Sequence, residues 1–244
     1  MATLTKEQVD SFRENGYCLL KDQLFAPDRF KELQDIFEDH LADKGDKLSD
    51  ELDTPHFRDP RLLRFLMSDD VLDLVEPLVG PNIALWTSHF ISKEPRTGRA
   101  TPWHEDSAFW EGRLSAYDRI VTVWLALSPS TRENGCMRVI PGTHHNGFSE
   151  YQSVNQTVNT FHAEIIDVHE SEAVYFELEP GECSLHDGRI IHGAAPNTSD
   201  IRRTGYTMRY FPASVQVLPV ERNEGWKIWL ARGEGLADNT YANV

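Results

Sequence analysis

The feature that most constrains the fold is a change of pattern at Asn82. Beyond it the chain consists of short apolar or alternating segments separated by Gly, Pro, Asn and Asp. They lie near 83–92, 119–127, 136–140, 164–168, 172–178, 182–186 and 203–211. Strands of this length with turn residues between them are typical of an antiparallel all-β domain. The second two-thirds of the chain is therefore predicted to form a β fold of the jelly-roll type.

The segment before Asn82 has a helical pattern. Thr5 can cap a helix, Gln8 stands at the third position beyond it, and Gly16 ends the helix. A second helix is predicted over 27–42, because its apolar residues recur on one face. The N-terminal third of the chain is therefore predicted to be a layer of helices.

Since the helices come first and most strands follow, we predict a single domain over residues 1–244. It is expected to be mainly β, a jelly-roll barrel with an N-terminal helical layer at about 1–80. The stretch 145–162 is polar and weakly patterned, which predicts a long loop. Long loops in compact domains are often functional, and this one is expected to be either a mobile cover over a site or, equally, a rigid surface loop.

Composition argues against several classes of protein. The 244 residues carry 39 acidic and 24 basic side chains, a formal net charge of −15. Such a surface opposes non-specific binding to nucleic acid and adsorption to an anionic membrane. Three scattered cysteines without a CxxC pair predict neither a disulfide scaffold nor a structural zinc cluster. No apolar run is long enough to span a membrane and no secretion signal is recognisable, so we expect a cytoplasmic protein.

The segment TPWHEDSAFW holds the strongest chemical signal. On a β-strand, side chains at i and i+2 leave the same face, so His104 and Asp106 can bind one metal ion while Glu105 points away. A distant histidine, His192, would complete two imidazoles and one carboxylate. That set with open positions favours non-haem Fe(II) and oxygen chemistry. The alternative is a surface turn with unrelated polar residues, which does not explain why Arg203 follows at a spacing suited to an acidic co-substrate.

Other polar residues are weighed against this set. Arg202 has the opposite strand parity to Arg203 and is predicted to face outward. The same parity places Arg209 inward, where it pairs with an internal carboxylate or meets the substrate. Turn, hairpin or purely structural roles are favoured for the remaining candidate histidines, His40, His56, His144, His145, His162, His169 and His186. Aromatic residues after the metal motif, Phe109, Trp110 and Tyr117, fit a substrate pocket and core packing equally well.

Several segments of the chain resemble the phytanoyl-CoA dioxygenase family of Fe(II)- and 2-oxoglutarate-dependent oxygenases. They are LTKEQVDSFRENGYCLLKDQLF, GPNIALWTSHFISKEP, TPWHEDSAFW, VTVWLALSPSTRENGCMRVIPGTHH and GECSLHDGRIIHGAAPNTSDIRRTGYTMRYFP. Together they cover nearly the whole chain, and the last is the most diagnostic. The resemblance implies a double-stranded β-helix, which is a cupin-like barrel.

The resemblance also implies a set of site residues. His104, Asp106 and His192 match the catalytic metal ligands, which hold Fe(II). Arg203 matches the arginine that pairs with the distal carboxylate of 2-oxoglutarate. Trp124 stands where a tryptophan lines the pocket of that co-substrate, and His89 stands where another neighbour of the co-substrate is found. The reaction would use O2 and release succinate and CO2.

The expected function is hydroxylation of a small-molecule substrate. Desaturation, cyclisation or epoxidation with the same cofactor stays open, because substrate placement decides among these outcomes. Halogenation is disfavoured, since Asp106 fills the position that a halide would need. A cupin-like domain that binds a metal or ligand without turnover is the alternative outside enzymes. The carboxylate-binding Arg203 beside an intact metal triad argues against it.

Overall fold

The computed structural model describes residues 3–244. Its α-helices are α1 (Lys6–Asn15), α2 (Pro27–Ala42), α3 (Leu63–Leu66), α4 (Asp69–Val79) and α5 (Asp106–Trp110). Its strands are β1 (Tyr17–Leu20), β2 (Leu52–Asp53), β3 (Ile83–Lys93), β4 (Thr101–His104), β5 (Val121–Ala126), β6 (Met137–Val139), β7 (Tyr151–Ser153), β8 (Ala163–Ile165), β9 (Val174–Tyr175), β10 (Cys183–Asp187), β11 (His192–Ala194), β12 (Arg203–Pro212) and β13 (Trp229–Arg232). The predicted order of helices before strands is confirmed.

Helix α1 begins and ends where its sequence predicts. The Gln8 N–H donates to Thr5 Oγ1 at 3.2 Å, and the Thr5 N–H donates to Gln8 Oε1 at 2.8 Å, so both donors of the capping box are satisfied. Gly16 closes the helix with a positive φ of 82° that glycine adopts without strain. Strand β1 begins directly after Gly16 and lies at one edge of the large sheet.

The strands pair antiparallel in three sheets. The large sheet has the order β1-β10-β5-β12-β3-β13, with β2 added on β3. The small sheet has the order β4-β11-β6-β9, and β7 pairs with β8 alone. The prediction of a mainly antiparallel β fold is confirmed. The pairing gives separate sheets and establishes no closed barrel, so that part of the expectation is not met.

The two faces of the large sheet have different partners. Alternate residues of the central strands β5 and β12 point to opposite faces, as the pleat requires. Those on one face pack against apolar residues of α2 and α4 in one continuous core, for example Val123 and Met208 against the helices. The residues between them, such as Trp124 and Arg209, face away from the helices. The helical layer thus fixes one face of the sheet and leaves the other to carry polar side chains.

The segment predicted as a long loop, 145–162, is a hairpin in part. Tyr151 pairs with Ile165 and Ser153 with Ala163, so β7 and β8 flank a short connection over 154–162. The strands are only three residues long, which is too short for a periodic pattern to show in the sequence. Across residues 3–244, no helix is long and apolar enough to cross a membrane.

Candidate active site

One cavity of about 410 Å³ is lined by residues of both main sheets. From the large sheet come Arg203 and Arg209 of β12 and Trp124 of β5. From the small sheet come His104 at the end of β4 and His192 at the start of β11. The sheet faces turned away from the helices therefore bring the predicted site residues to one place.

The three predicted metal ligands converge in this cavity. The ligand atoms of His104, Asp106 and His192 all lie within 4.8 Å of one another, and all three residues are buried. His192 is the direct cross-strand partner of His104, and their rings are 4.1 Å apart. The sequence pattern predicts that Asp106 lies on a strand. In the structure it is the first residue of α5. Glu105 is nevertheless extended, so 104 and 106 still project to the same side.

Both histidines present the nitrogen that a metal needs. His104 Nδ1 lies 2.8 Å from the carbonyl oxygen of Pro102, and His192 Nδ1 lies 2.9 Å from that of Ile190. Each Nδ1–H is therefore assigned as a donor to the backbone, which leaves the Nε2 lone pair free. Burial lowers the pKa of His104, and burial with the neighbouring His104 ring holds the pKa of His192 well below its ordinary value. A lowered pKa favours the neutral imidazole, which is the form that binds metal.

The carboxylate of Asp106 is fixed by two donors. Arg209 donates from Nε to Oδ2 at 3.0 Å and from a terminal nitrogen to Oδ1 at 3.2 Å. Thr122 donates its hydroxyl to Oδ2 at 3.2 Å. Burial alone would raise the pKa of Asp106, but the Arg209 charge holds it well below its ordinary value. The inward pairing of Arg209 with a carboxylate is as the strand parity predicts.

The donor set fits an iron ion. Two neutral imidazole nitrogens and one ionised carboxylate on one side of a cavity are the ligands of non-haem Fe(II) oxygenases. The side chains that orient them also come from this chain. Pro102 and Ile190 fix the two rings, and Arg209 with Thr122 fixes the carboxylate.

Arg203 lies in the same cavity and is nine-tenths buried. Its Nε and one terminal nitrogen donate to the Gly135 carbonyl oxygen at 3.0 and 2.6 Å, and its guanidinium lies 5.1 Å from the Trp124 ring. In the described part of the chain, no carboxylate oxygen lies within 4 Å of this cation. Burial lowers the pKa of Arg203 to about 10. A buried guanidinium without an acidic partner fits the carboxylate of a bound co-substrate.

Trp124 can lie beside Arg203 only because residue 205 is glycine. A Cβ added at Gly205 would lie 2.1 Å from Trp124 Cζ2, closer than any real contact. The cross-strand neighbour of Trp124 is Thr207, so the indole reaches diagonally over Gly205 toward Arg203. The RTG sequence at the start of β12 therefore gives both the cation and the space for its aromatic neighbour.

Residues 12–205 match the model of the family described as phytanoyl-CoA dioxygenase (PhyH). The chain belongs to the phytanoyl-CoA dioxygenase family. The human protein named "Phytanoyl-CoA dioxygenase, peroxisomal" is 28% identical over 243 residues, which cover 89% of this chain and 71% of that protein.

Solved structures share the fold of this family member. The apo form of the non-haem monooxygenase ThoJ superposes with a TM-score of 0.79 at 23% identity, over 97% of this chain and 87% of that one. EvdO2 from Micromonospora carbonacea var. aurantiaca, complexed with 2-oxoglutarate, superposes with a TM-score of 0.72 at 24% identity, over 92% and 97%.

Two further sequence candidates flank the site of this PhyH-family protein. His89 of β3 lines the cavity, and its Nε2 lies 3.1 Å from the carbonyl oxygen of Asp50. Its Nδ1 is 3.9 Å from Asp53 Oδ1, so both ring nitrogens face the segment 50–53. Arg202 faces outward and pairs with Glu38 of α2, as its parity predicts.

His186 is not one of the three residues whose ligand atoms converge, but it lies next to them. His186 lies on β10, lines the cavity, and has its Nε2 3.7 Å from Asp106 Oδ2. Its ring is 4.9 Å from that of His192, and it is cross-strand from Thr122, the hydroxyl donor to Asp106. Only the register between β10 and β5 reveals this position, and the sequence carries no local signal for that register. By contrast His144 and His145 form a turn outside the cavity, as expected.

The segment 145–162, which holds β7 and the connection to β8, is fastened to the predicted metal-binding segment. The Glu105 carboxylate accepts hydrogen bonds from the Ser149 N–H at 3.2 Å and from the Tyr151 hydroxyl at 3.3 Å. The Glu105 N–H donates to the Tyr151 oxygen at 3.2 Å. At the other end of the hairpin, Phe161 lines the cavity with its ring 4.8 Å from that of His104. The segment therefore forms part of the cavity wall.

Proposed function

We propose that this protein is an Fe(II)- and 2-oxoglutarate-dependent oxygenase that hydroxylates a small molecule. The observation that carries the proposal is one cavity holding both the His104–Asp106–His192 triad and the unpaired, buried Arg203. A plain metal-binding domain has no use for a carboxylate-binding cation beside its metal. In the overall reaction, a C–H bond, O2 and 2-oxoglutarate become C–OH, succinate and CO2.

Each residue has a defined task in this proposal. His104, Asp106 and His192 hold Fe(II) and leave positions open for co-substrates. Arg203 binds the far carboxylate of 2-oxoglutarate through parallel hydrogen bonds, and Trp124 forms the wall beside it. His89 lines the cavity near this pocket.

Phe109 and Phe161 form an aromatic wall beside the triad, and this wall can position the substrate. Phe161 packs on Phe109 at 4.9 Å, and both rings contact His104, at 4.8 and 5.8 Å. Such a wall excludes water from the reacting centre and holds an apolar part of a substrate close to the metal. Desaturation, cyclisation and epoxidation use the same residues, and the position of the substrate C–H bond decides among them.

The comparisons support the cofactor and the substrate class. The chain belongs to the PhyH family, and one of the matching solved structures contains 2-oxoglutarate. A cavity of about 410 Å³ is of the size that small ligands occupy.

We also infer a single domain, because the helices and the large sheet share one core. A cytoplasmic location stays a prediction.

The proposal is tested by succinate formation from 2-oxoglutarate in the presence of Fe(II) and O2. A panel of small molecules is screened for compounds that stimulate succinate release, and products are identified by mass spectrometry. Addition of one oxygen atom to the substrate indicates hydroxylation, and loss of two hydrogens indicates desaturation. Arg202→Ala is the matched control for Arg203→Ala. Absence of binding of 2-oxoglutarate to the metal-loaded protein would favour the non-catalytic alternative.

A further inference from the structure

The cavity contains more cationic side chains than the proposed reaction uses. Four arginines line it, namely Arg113, Arg203, Arg209 and Arg222. Arg209 is paired with Asp106, and Arg203 is assigned to 2-oxoglutarate. Arg113 and Arg222 form no ion pair within 4 Å among residues 3–244. The chain has 39 acidic side chains for 24 basic ones, so a shortage of acidic partners does not explain this.

Arg113 is held in place but lacks a counter-charge. It is 8% exposed, and its guanidinium lies against both the Trp86 and the Trp226 ring, 4.8 and 4.2 Å from their centres. Its Nε donates to Asn223 Oδ1 at 2.7 Å, while one terminal nitrogen has no hydrogen-bond partner within the described residues. Burial, followed by the nearby Arg222 charge, lowers the pKa of Arg113. Buried cations are normally paired, and this one is pre-oriented without a partner.

Arg222 brings a second guanidinium to the same end of the cavity. It lies in the exposed turn Glu221–Asn223, next to Asn223, which binds Arg113. Its terminal nitrogen donates to the carbonyl oxygen of Phe109 at 2.8 Å. Phe109 belongs to the aromatic wall that reaches His104. Asp53 also lines the cavity and slightly offsets the Arg113 charge, but none of its oxygens lies within 4 Å of either arginine.

We propose that Arg113 and Arg222 form a binding site for an anionic group of the primary substrate. The inference rests on the proposed function and names its substrate class: a small molecule with a carboxylate, phosphate or sulfate and an apolar part carrying the reacting C–H bond. Guanidinium groups bind such oxyanions through paired hydrogen bonds. The apolar part then lies against Phe109 and Phe161, beside the triad.

The site is tested with benzoate and its neutral analogue benzamide as probes. Binding to Zn(II)-loaded protein saturated with 2-oxoglutarate is measured by ligand-observed NMR, so that Arg203 is already occupied. Benzoate is expected to bind more tightly than benzamide, and Arg222→Gln is expected to weaken benzoate about tenfold while leaving benzamide unchanged. Arg113→Gln combined with Arg222→Gln is expected to remove the preference for the anion.

Arg132→Gln is the matched control, because it removes an exposed arginine that lies outside the cavity. Equal binding of the two probes to the unmodified protein, or benzoate binding unchanged by Arg222→Gln, overturns the proposal. Arg222 is exposed, so this variant decides the matter even where Arg113→Gln unfolds the protein. A parallel titration with 2-oxoglutarate keeps the two proposals apart. Failure of 2-oxoglutarate to bind refutes the oxygenase proposal, whereas loss of only the benzoate preference refutes the anion site.

Discussion

Arg209 and Asp106 form a buried ion pair in which two nitrogens of the guanidinium bind the two oxygens of the carboxylate, at 3.0 and 3.2 Å. Asp106 is one of the three residues whose ligand atoms converge. The Arg209 guanidinium balances part of the charge of its carboxylate and fixes the plane of that group. Thr122 adds a third hydrogen bond to the same carboxylate at 3.2 Å. The carboxylate is therefore oriented by the protein itself.

Arg209→Gln is expected to weaken metal binding. Loss of a residue that orients a metal ligand typically lowers metal affinity by about 10–100-fold. The measurement is the Co(II) dissociation constant, with the visible absorption of bound Co(II) as a report on ligand geometry. Arg132→Gln, which changes the same charge on the surface, is expected to leave both unchanged. Unaltered affinity and spectrum in Arg209→Gln would show that the ion pair only stabilises the fold.

His104→Ala and His192→Ala are each expected to abolish Fe(II) binding and turnover, because the two remaining ligands hold the ion poorly. Zn(II) and Co(II) are expected to bind the unmodified protein and inhibit it, since they accept the same ligands without the required oxygen chemistry. Metal content after dialysis and succinate release are the two measurements. Near-normal activity of either variant at low iron would refute the triad.

Arg203→Ala is expected to act on the co-substrate and not on the metal. Truncating one partner of a buried charge pair costs about 2–5 kcal/mol, so the apparent KM for 2-oxoglutarate should rise about tenfold or more. The affinity for Fe(II) should stay nearly unchanged. Arg202→Ala is the control, because Arg202 faces α2 and pairs with Glu38. A large effect of Arg202→Ala together with a small effect of Arg203→Ala would show that the two roles are reversed.

His56 is expected to make stability depend on pH. Burial lowers its pKa from 6.5 to about 3, and its Nδ1 lies 2.7 Å from the Ser88 hydroxyl. As pH falls below 6.5, the unfolded chain binds a proton that the folded protein does not, so stability is lost on acidification. From pH 7 to about pH 5 this residue should lower the free energy of unfolding by about 2 kcal/mol.

Urea unfolding of the metal-free protein at the two pH values measures this effect. His56→Gln should reduce the loss of stability on acidification by the same amount, while the other histidines contribute equally to both proteins. An identical pH dependence in His56→Gln and the unmodified protein would mean that His56 binds a proton as readily in the folded protein as in the unfolded chain.

The sequence predicts those parts of the site that depend on local geometry. Strand parity alone places Arg203 and Arg209 inward and Arg202 outward, because the pleat fixes alternate faces. His186 could not be assigned in the same way, since its proximity to Asp106 depends on the register between β10 and β5. Register between strands distant in the sequence is set by tertiary packing and leaves no local pattern.

Residues at the edge of the cavity cannot be predicted from the sequence for a related reason. Arg113, Arg222 and Asp53 come from short or irregular segments far apart in the chain, and only the folded arrangement brings them together. The closed barrel was inferred from the number and length of strands. Those quantities specify that sheets form but do not specify which edges pair.

The β7–β8 hairpin is expected to respond to bound ligands in its connection, residues 154–162, and not at its base. Its base is fastened through Glu105 to Tyr151 and Ser149, whereas the connection contributes Thr160 and Phe161 to the cavity wall. Bound ligands that contact this wall should reduce local opening and so slow amide exchange. Hydrogen–deuterium exchange is expected to show protection of 154–162 when 2-oxoglutarate and substrate are both present, with little change at 149–153.

Tyr151→Phe sharpens this test, because it removes the hydroxyl that bonds to both the carboxylate and the N–H of Glu105 and keeps the ring. We expect faster exchange over 149–153 and a weaker ligand-induced protection of 154–162. Since Glu105 separates two of the proposed metal ligands, Fe(II) affinity should also fall, by less than in Arg209→Gln. Equal protection of 154–162 in the free and fully liganded protein would mean that the connection is a fixed part of the wall. The cover of the cavity would then have to be sought in the segment around Arg222.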